Sequence, residues 1–113
     1  MRYDSPAFEV EYYVNEGGTV HFEAWLDGLA DKRAVARVLT RVERLARGAL
    51  GDCRALHDGV WELKIDYGPG YRLYYAFAGA TLIVLLCGGD KRKQRSDIER
   101  AVAYWQDYRR RTR

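Results

Sequence analysis

The chain has 113 residues, 48% of them hydrophobic and 31% charged, with a net charge of +3. That length predicts one domain over residues 1–113, and that apolar share builds a core without disulfide or metal staples, which excludes a disordered tail and a cysteine-framework miniprotein. The charge is uneven: residues 1–31 hold one base against seven acids, a net −6, while the remainder carries +9, which points to a basic surface for a polyanion with an acidic N-terminal third outside it.

Phe8–Val14 reads as a first strand, aromatic and β-branched, with Glu9 and Glu11 alternating. Asn15-Glu16-Gly17-Gly18 is a turn. Thr19 is expected to cap a helix with Phe22, Trp25, Leu26 and Leu29 at i, i+3, i+4, i+7 of one face. Asp31 is expected to cap a second helix, whose apolar stripe is Val35, Val38, Leu39, Val42, Leu45 and Ala46. Its outer face carries Arg33, Arg37, Arg41 and Arg44. Like charges four apart cost about 0.2–0.5 kcal/mol per pair, so either a solvated face or a partner's acid groups must favour that row. Gly48 and Gly51 end the helix in a left-handed cap and a turn, and Asp52–His57 is a short extended connection suited to an edge strand.

Val60–Tyr75, VWELKIDYGPGYRLYY, is the centre of the chain. Trp61, Leu63, Ile65 and Tyr67 alternate with Glu62, Lys64 and Asp66; Tyr71, Leu73, Tyr75 and Phe77 alternate with Arg72, Tyr74 and Ala76. Both runs have the period of two of half-buried strands, and Gly68-Pro69-Gly70 joins them in a turn. Parity predicts that Tyr67 pairs with Tyr71, Ile65 with Leu73 and Leu63 with Tyr75, which sets Asp66 opposite Arg72 and Lys64 opposite Tyr74. The face turned from the core is then expected to carry Lys64, Arg72 and Tyr74. Gly79 makes the next turn, and TLIVLLC, Thr81–Cys87, is apolar without alternation, as a strand buried on both faces should be. Gly88–Arg95 reads as a polar, basic loop. Ser96 and Glu99 form a capping-box pattern opening a last helix from Asp97 to Arg110, with Ile98, Ala101, Val102, Trp105 and Tyr108 on its core face, and Arg109, Arg110, Arg111 and Arg113 make a basic tail. The order β-α-α-β-β-β-α predicts an α+β fold: a small antiparallel sheet, two N-terminal helices packed on one face, and a C-terminal helix.

Several chemistries find no support. His21 and His57 have no Cys or His at ligand spacing, so no metal site is expected. Gly-Pro-Gly and Gly-Gly-Asp are turns, not phosphate loops. Cys87 ends an apolar run and reads as a small core residue. No run approaches the roughly 18 apolar residues of a membrane span, and MRYDSPAFEV lacks the pattern of a signal peptide, so a cytoplasmic protein without membrane contact is expected. What remains is cationic. Lys64, Arg72, Lys91, Arg92 and Lys93, interleaved with Tyr71 and Tyr74, suit a nucleic-acid strand, because arginine grips phosphate and aromatic rings stack bases. The plain alternatives are an Arg72–Asp66 cross-strand pair and a solvated Lys64.

At these residues the chain resembles the addiction-module killer proteins of the RelE/ParE superfamily, nearest the HigB-like branch. The runs WELKIDYGPGYRLYY and LIVLLCGGDKRKQRSDIERA carry the likeness, with Phe22, Trp25, Leu26, Leu29 and Gly51-Asp52 upstream. The resemblance implies a microbial ribonuclease-like fold and the toxin of a type II toxin–antitoxin pair that cleaves translated mRNA at the ribosome, without metal or cofactor. Its implied partners are mRNA, the ribosome and a cognate antitoxin, a small helix-turn-helix protein. Lys64 matches the strand lysine proposed as general base, Arg72 the arginine that stabilises developing phosphate charge, and Lys91 or Arg92 the cation proposed as general acid. Tyr71, Tyr74, Lys93, Gln94, Arg37 and Arg41 are the expected substrate contacts. Two positions depart from the nuclease pattern. Glu62 stands where some RelE nucleases carry the first of two strand lysines, and a tyrosine expected early in the last helix is missing near Ile98. The alternative is a ParE-like protein that keeps the fold, lacks nuclease activity and inhibits DNA gyrase.

Overall fold

In the computed structural model residues 7–49 and 51–112 are described, and the last arginine of the basic tail, Arg113, like most of MRYDSPAFEV, lies outside them. Strand β1 is Glu9–Tyr12, helix α1 His21–Asp27 and helix α2 Lys32–Ala46. Strands β2 (Cys53–Ala55), β3 (Trp61–Ile65), β4 (Tyr71–Ala78) and β5 (Leu82–Asp90) follow, then one 3₁₀ turn, Lys91–Lys93, and helix α3, Gln94–Arg111. The sheet has five strands in the order β1-β5-β4-β3-β2. The α+β class is as the element order predicts, with one departure. The sheet is mixed, because β1 lies parallel to β5, Glu9 beside Leu82 and Tyr12 beside Leu85. The long excursion through α1, α2 and the hairpin supplies the crossover that a parallel neighbour needs.

Two apolar layers clasp this sheet. On one face Phe22 of α1 and Ala34, Val38 and Leu45 of α2 pack with Leu63, Ile65, Leu73, Tyr75, Ile83 and Leu85. On the other, Ala101 and Trp105 of α3 pack with Val60, Tyr74, Ala76, Val84 and Leu86. Each fully buried large side chain contributes about 1.5–3 kcal/mol, so both layers are needed. β5 carries Ile83 through Cys87 buried without alternation, as its apolar run predicts. The face expected to point away from the core is therefore half roofed by α3.

Local corrections follow from contacts outside each segment. Helix α1 has no side-chain cap: Thr19 gives its N–H to Asn15 Oδ1 at 2.8 Å, and the cap position is Val20. Asp31 does cap α2, accepting from the N–H groups of Arg33 and Ala34. Within α2 Ala34, Val38 and Leu45 are buried and Leu39 stays 43% exposed, so the stripe is turned about the helix axis, away from Leu39 and towards Ala34. The hairpin register is shifted by two residues: Ile65 faces Tyr71, Lys64 faces Arg72, Leu63 faces Leu73 and Glu62 faces Tyr74. β3 ends at Ile65 because Tyr67 leaves the ladder and donates its hydroxyl to Asp31 Oδ2 at 3.0 Å. A five-residue link, 66–70, then replaces the three-residue turn, with Gly68 and Gly70 at positive φ. Parity survives a shift of two, so each side chain keeps its face but changes its neighbour. Gly88, Gly89 and Asp90 continue β5 and are not a loop. Asp90, not Ser96, caps the following turn, accepting from Arg92 N–H at 2.9 Å, while Ser96 Oγ donates to the Lys93 carbonyl.

Candidate functional site

The shifted register places Lys64 directly across from Arg72 at the end of the hairpin, on the face that α3 only partly covers. A cleft of about 260 Å³ opens there, lined by Asp52, Arg54, Glu62, Lys64, Arg72 and Gln94. β3 contributes Glu62 and Lys64, β4 Arg72, β2 Arg54, and the first residue of α3 Gln94. Three cations face two carboxylates, so the cleft keeps an excess of positive charge.

Glu62 organises it. Its carboxylate is 3% exposed. Oε1 accepts from Arg54 Nε at 3.0 Å, Oε2 accepts from Gln94 Nε2 at 2.8 Å, and Arg72 Nε lies 3.5 Å from Oε2. A buried charge without partners would be costly, and here two hydrogen-bond donors and the nearby Arg72 charge offset the desolvation. Arg72, 6% exposed, also donates from Nη1 to the Gly70 carbonyl at 3.3 Å. Nη1 is thus the hydrogen-bonded nitrogen, while Nε, buried, stands near the Glu62 carboxylate as an ion pair without a hydrogen bond. Lys64 is exposed, and among the described residues no carboxylate pairs with it. A guanidinium held from behind beside an uncommitted ammonium is an arrangement that receives a phosphate.

The remaining predicted residues divide. Gln94 belongs to the cleft, as anchor of Glu62. Lys91 borders it: its N–H donates at 3.0 Å to the Gly70 carbonyl, the same oxygen that receives Arg72, and its side chain is exposed. Arg92 and Lys93 line a neighbouring hollow with His21, Trp25 and Arg100. Arg92 pairs with Asp90 at 3.1 Å, which holds the Asp90 carboxyl below its ordinary range. Arg37 and Arg41 stand apart on α2 beside Asp66, with Arg37 lying 4.6 Å above the Tyr67 ring. Both tyrosines are corrections. Tyr71 is 7% exposed on the opposite face, edge-on to Trp25, because the alternation that makes Arg72 face the cleft turns Tyr71 away. Tyr74 shares the cleft's face but is 0% exposed beneath α3, so its ring has no surface for a base. Burial, followed by the charges of Glu62 and Asp97, pushes the Tyr74 hydroxyl well above its ordinary range. Arg72 is likewise a buried residue, where an outward one was expected.

Reading the chain alone misses Arg54, whose role needs β2 to pair with β3 and set it across from Glu62. It also misses Asp97, 3% exposed and paired with Arg100, whose carboxyl is pushed up by burial against the pull of that arginine. Among the described residues no group of three or more His, Cys, Asp or Glu could hold a metal ion, and no helix is long and apolar enough to cross a membrane.

A family model described as Phage derived protein Gp49-like (DUF891) matches residues 24–103, a span that includes every residue of the cleft. An uncharacterized protein of Haemophilus influenzae is 45% identical over 83 residues, which cover 74% of this chain and 84% of that protein.

Proposed function

We propose, from the premise that this chain belongs to the Gp49-like family of phage-derived proteins, a toxin-like family related to RelE- and HigB-type toxins, that it is the toxin of a type II toxin–antitoxin pair and cleaves mRNA. The reading treats residues 1–113 as one toxin domain of the HigB-like branch, acting in the cytoplasm on ribosome-bound message and restrained by a small helix-turn-helix antitoxin. The observation that carries it is Arg72, gripped by Glu62 and the Gly70 carbonyl, facing the uncommitted Lys64 across the hairpin.

The chemistry asked of the cleft is transesterification. The ribose 2′-oxygen attacks the adjacent phosphorus, the bond to the 5′-oxygen breaks, and the products are a 2′,3′-cyclic phosphate and a 5′-hydroxyl end. Negative charge grows on the non-bridging oxygens as the fifth bond forms. A guanidinium is a donor with no acceptor, so Arg72 serves as the clamp on that charge and not as a base. Lys64, opposite it, takes the 2′-proton in its free-amine form, leaving as the ammonium, and Lys91, one carbonyl away from Arg72, starts as the ammonium and protonates the departing 5′-oxygen. Glu62 is not a substitute base: its two oxygens are occupied by Arg54, Gln94 and Arg72.

The test is expression from a tight promoter. The protein alone should arrest growth, and co-expression of the small protein encoded beside it should relieve the arrest. Normal growth at confirmed soluble expression would remove the toxin reading. Arrest with intact mRNA and relaxed plasmid DNA would replace the nuclease with a ParE-like gyrase inhibitor.

A further inference from the structure

At the other end of β4 from the cleft, a groove of about 1000 Å³ runs between the sheet and the last turns of α3. Its floor wraps the end of the sheet: Trp61 and Phe77 come from the face under α1 and α2, Trp105 and Tyr108 from the face under α3, and Arg109 and Arg110 stand on its rim. Among the described residues no acidic one lines it. Phe77 lies five residues along β4 from Arg72, a separation of about 17 Å at strand rise. The nuclease reading leaves this surface unused.

Its chemistry restricts what can fill it. The rings are committed to one another: Trp105 stacks on Tyr108 at 5.5 Å, Trp61 on Tyr75 at 6.4 Å, and Phe77 meets Trp61 edge-on. They offer an apolar floor with no pair of open faces for successive bases, so a single RNA strand has no stacking platform there. A second copy of the chain meets a different obstacle, because a two-fold contact brings the same patch to both sides, with Arg109 and Arg110 in each and, among the described residues, no carboxylate in the lining of either. Arg110 is paired with Asp107 at 2.7 Å, whereas among the described residues Arg109 has only the Trp105 ring, 5.9 Å away. An aromatic floor beneath an unpaired cation fits an amphipathic helix whose apolar stripe fills the groove and whose flanking Asp or Glu meets Arg109.

We infer that this groove is the docking site for an acidic amphipathic helix of the antitoxin, so that the antitoxin anchors at the β4–α3 end and not over the Arg72 cleft. This rests on the toxin reading above. Arg109 and Gln106, both exposed on the rim, give variants that leave the floor intact. The experiment uses the purified chain and the purified small protein encoded beside it, with hydrogen exchange of the complex and titration of Arg109→Glu and Gln106→Arg. The inference predicts protection of peptides spanning residues 75–81 and 105–112. It also predicts an affinity loss of about tenfold or more for Arg109→Glu, since like charges across an interface are repulsive. Toxicity of the free variants should be unchanged. Protection centred on residues 62–72 with unaltered affinity for both variants would overturn the docking site while leaving the toxin reading intact. Groove protection by a 20-nucleotide single-stranded RNA, or self-association lost in Arg109→Glu, would overturn it in favour of those occupants. A neighbour protein that neither binds nor relieves growth arrest would overturn the toxin reading, and this inference with it.

Discussion

Glu62 and Arg72 define each other. Arg72→Lys keeps a positive charge beside Glu62 but loses the planar fork that holds Gly70 and presents the remaining nitrogen. Cleavage should fall roughly a hundredfold, about 3 kcal/mol of transition-state stabilisation, while the melting temperature moves by only a few degrees. Single-turnover cleavage of a defined RNA, beside a thermal melt, reads both. Glu62→Gln removes the counter-charge of Arg54 and Arg72 at a buried position. It should cost about 1–3 kcal/mol of stability and lower the rate at saturating RNA, because Arg72 loses its fixed orientation. An unaltered rate at saturation would show that Glu62 does not position Arg72. The sequence marks Glu62 only as a missing lysine. Its partners lie 8 and 32 residues away at Arg54 and Gln94, and no local pattern reports contacts of that range.

The elements were legible where their signal is local. The strand alternation of β3 and β4, the Asp31 cap, the edge strand in 52–57 and the apolar run of β5 all follow from short-range patterning. The misjudged features are decided by residues far along the chain. Tyr67 is drawn from the hairpin by Asp31, and that shifts the register. Gly88 and Gly89 look like a loop, yet they are strand positions where another group passes against the backbone. A Cβ on Gly89 would lie 2.8 Å from Asp97 Cγ, and one on Gly88 would lie 2.8 Å from Trp25 Cδ2. Gly89→Ala should therefore destabilise by about 1–3 kcal/mol through overpacking. In an Asp97→Ala background that penalty should shrink to a few tenths of a kcal/mol, since the clashing carboxylate is gone. Urea melts of the four proteins close the cycle, and equal penalties in both backgrounds would refute the close approach.

At the scale of the molecule, α3 roofs one sheet face and its C-terminal turns strap it to the chain just after β1. Tyr13 donates to Asp107 Oδ2 at 2.6 Å, and Arg111 reaches both Asp107 and the Val14 carbonyl. The Arg111 guanidinium first, then the Tyr13 hydroxyl, hold the Asp107 carboxyl down at about 2. A carboxylate with a depressed folded-state pKa stabilises above its unfolded value, near 3.9, and that contribution fades as pH falls towards about 2. Asp107→Asn should then lower the melting temperature at pH 7, with the gap to the parent narrowing below about pH 4. A gap independent of pH would argue that Asp107 acts through packing alone. The same strap leaves the sheet end at Lys64 open to solvent, with Arg72 buried behind it. Mapping of 5′ ends on cellular mRNA shortly after induction tests the nuclease reading most directly. The parent protein should produce new 5′-hydroxyl ends within translated messages, and Arg72→Lys, at equal soluble level, should produce about a hundredfold fewer. Messages left intact by the parent during growth arrest, or equal cutting by the variant, would contradict it.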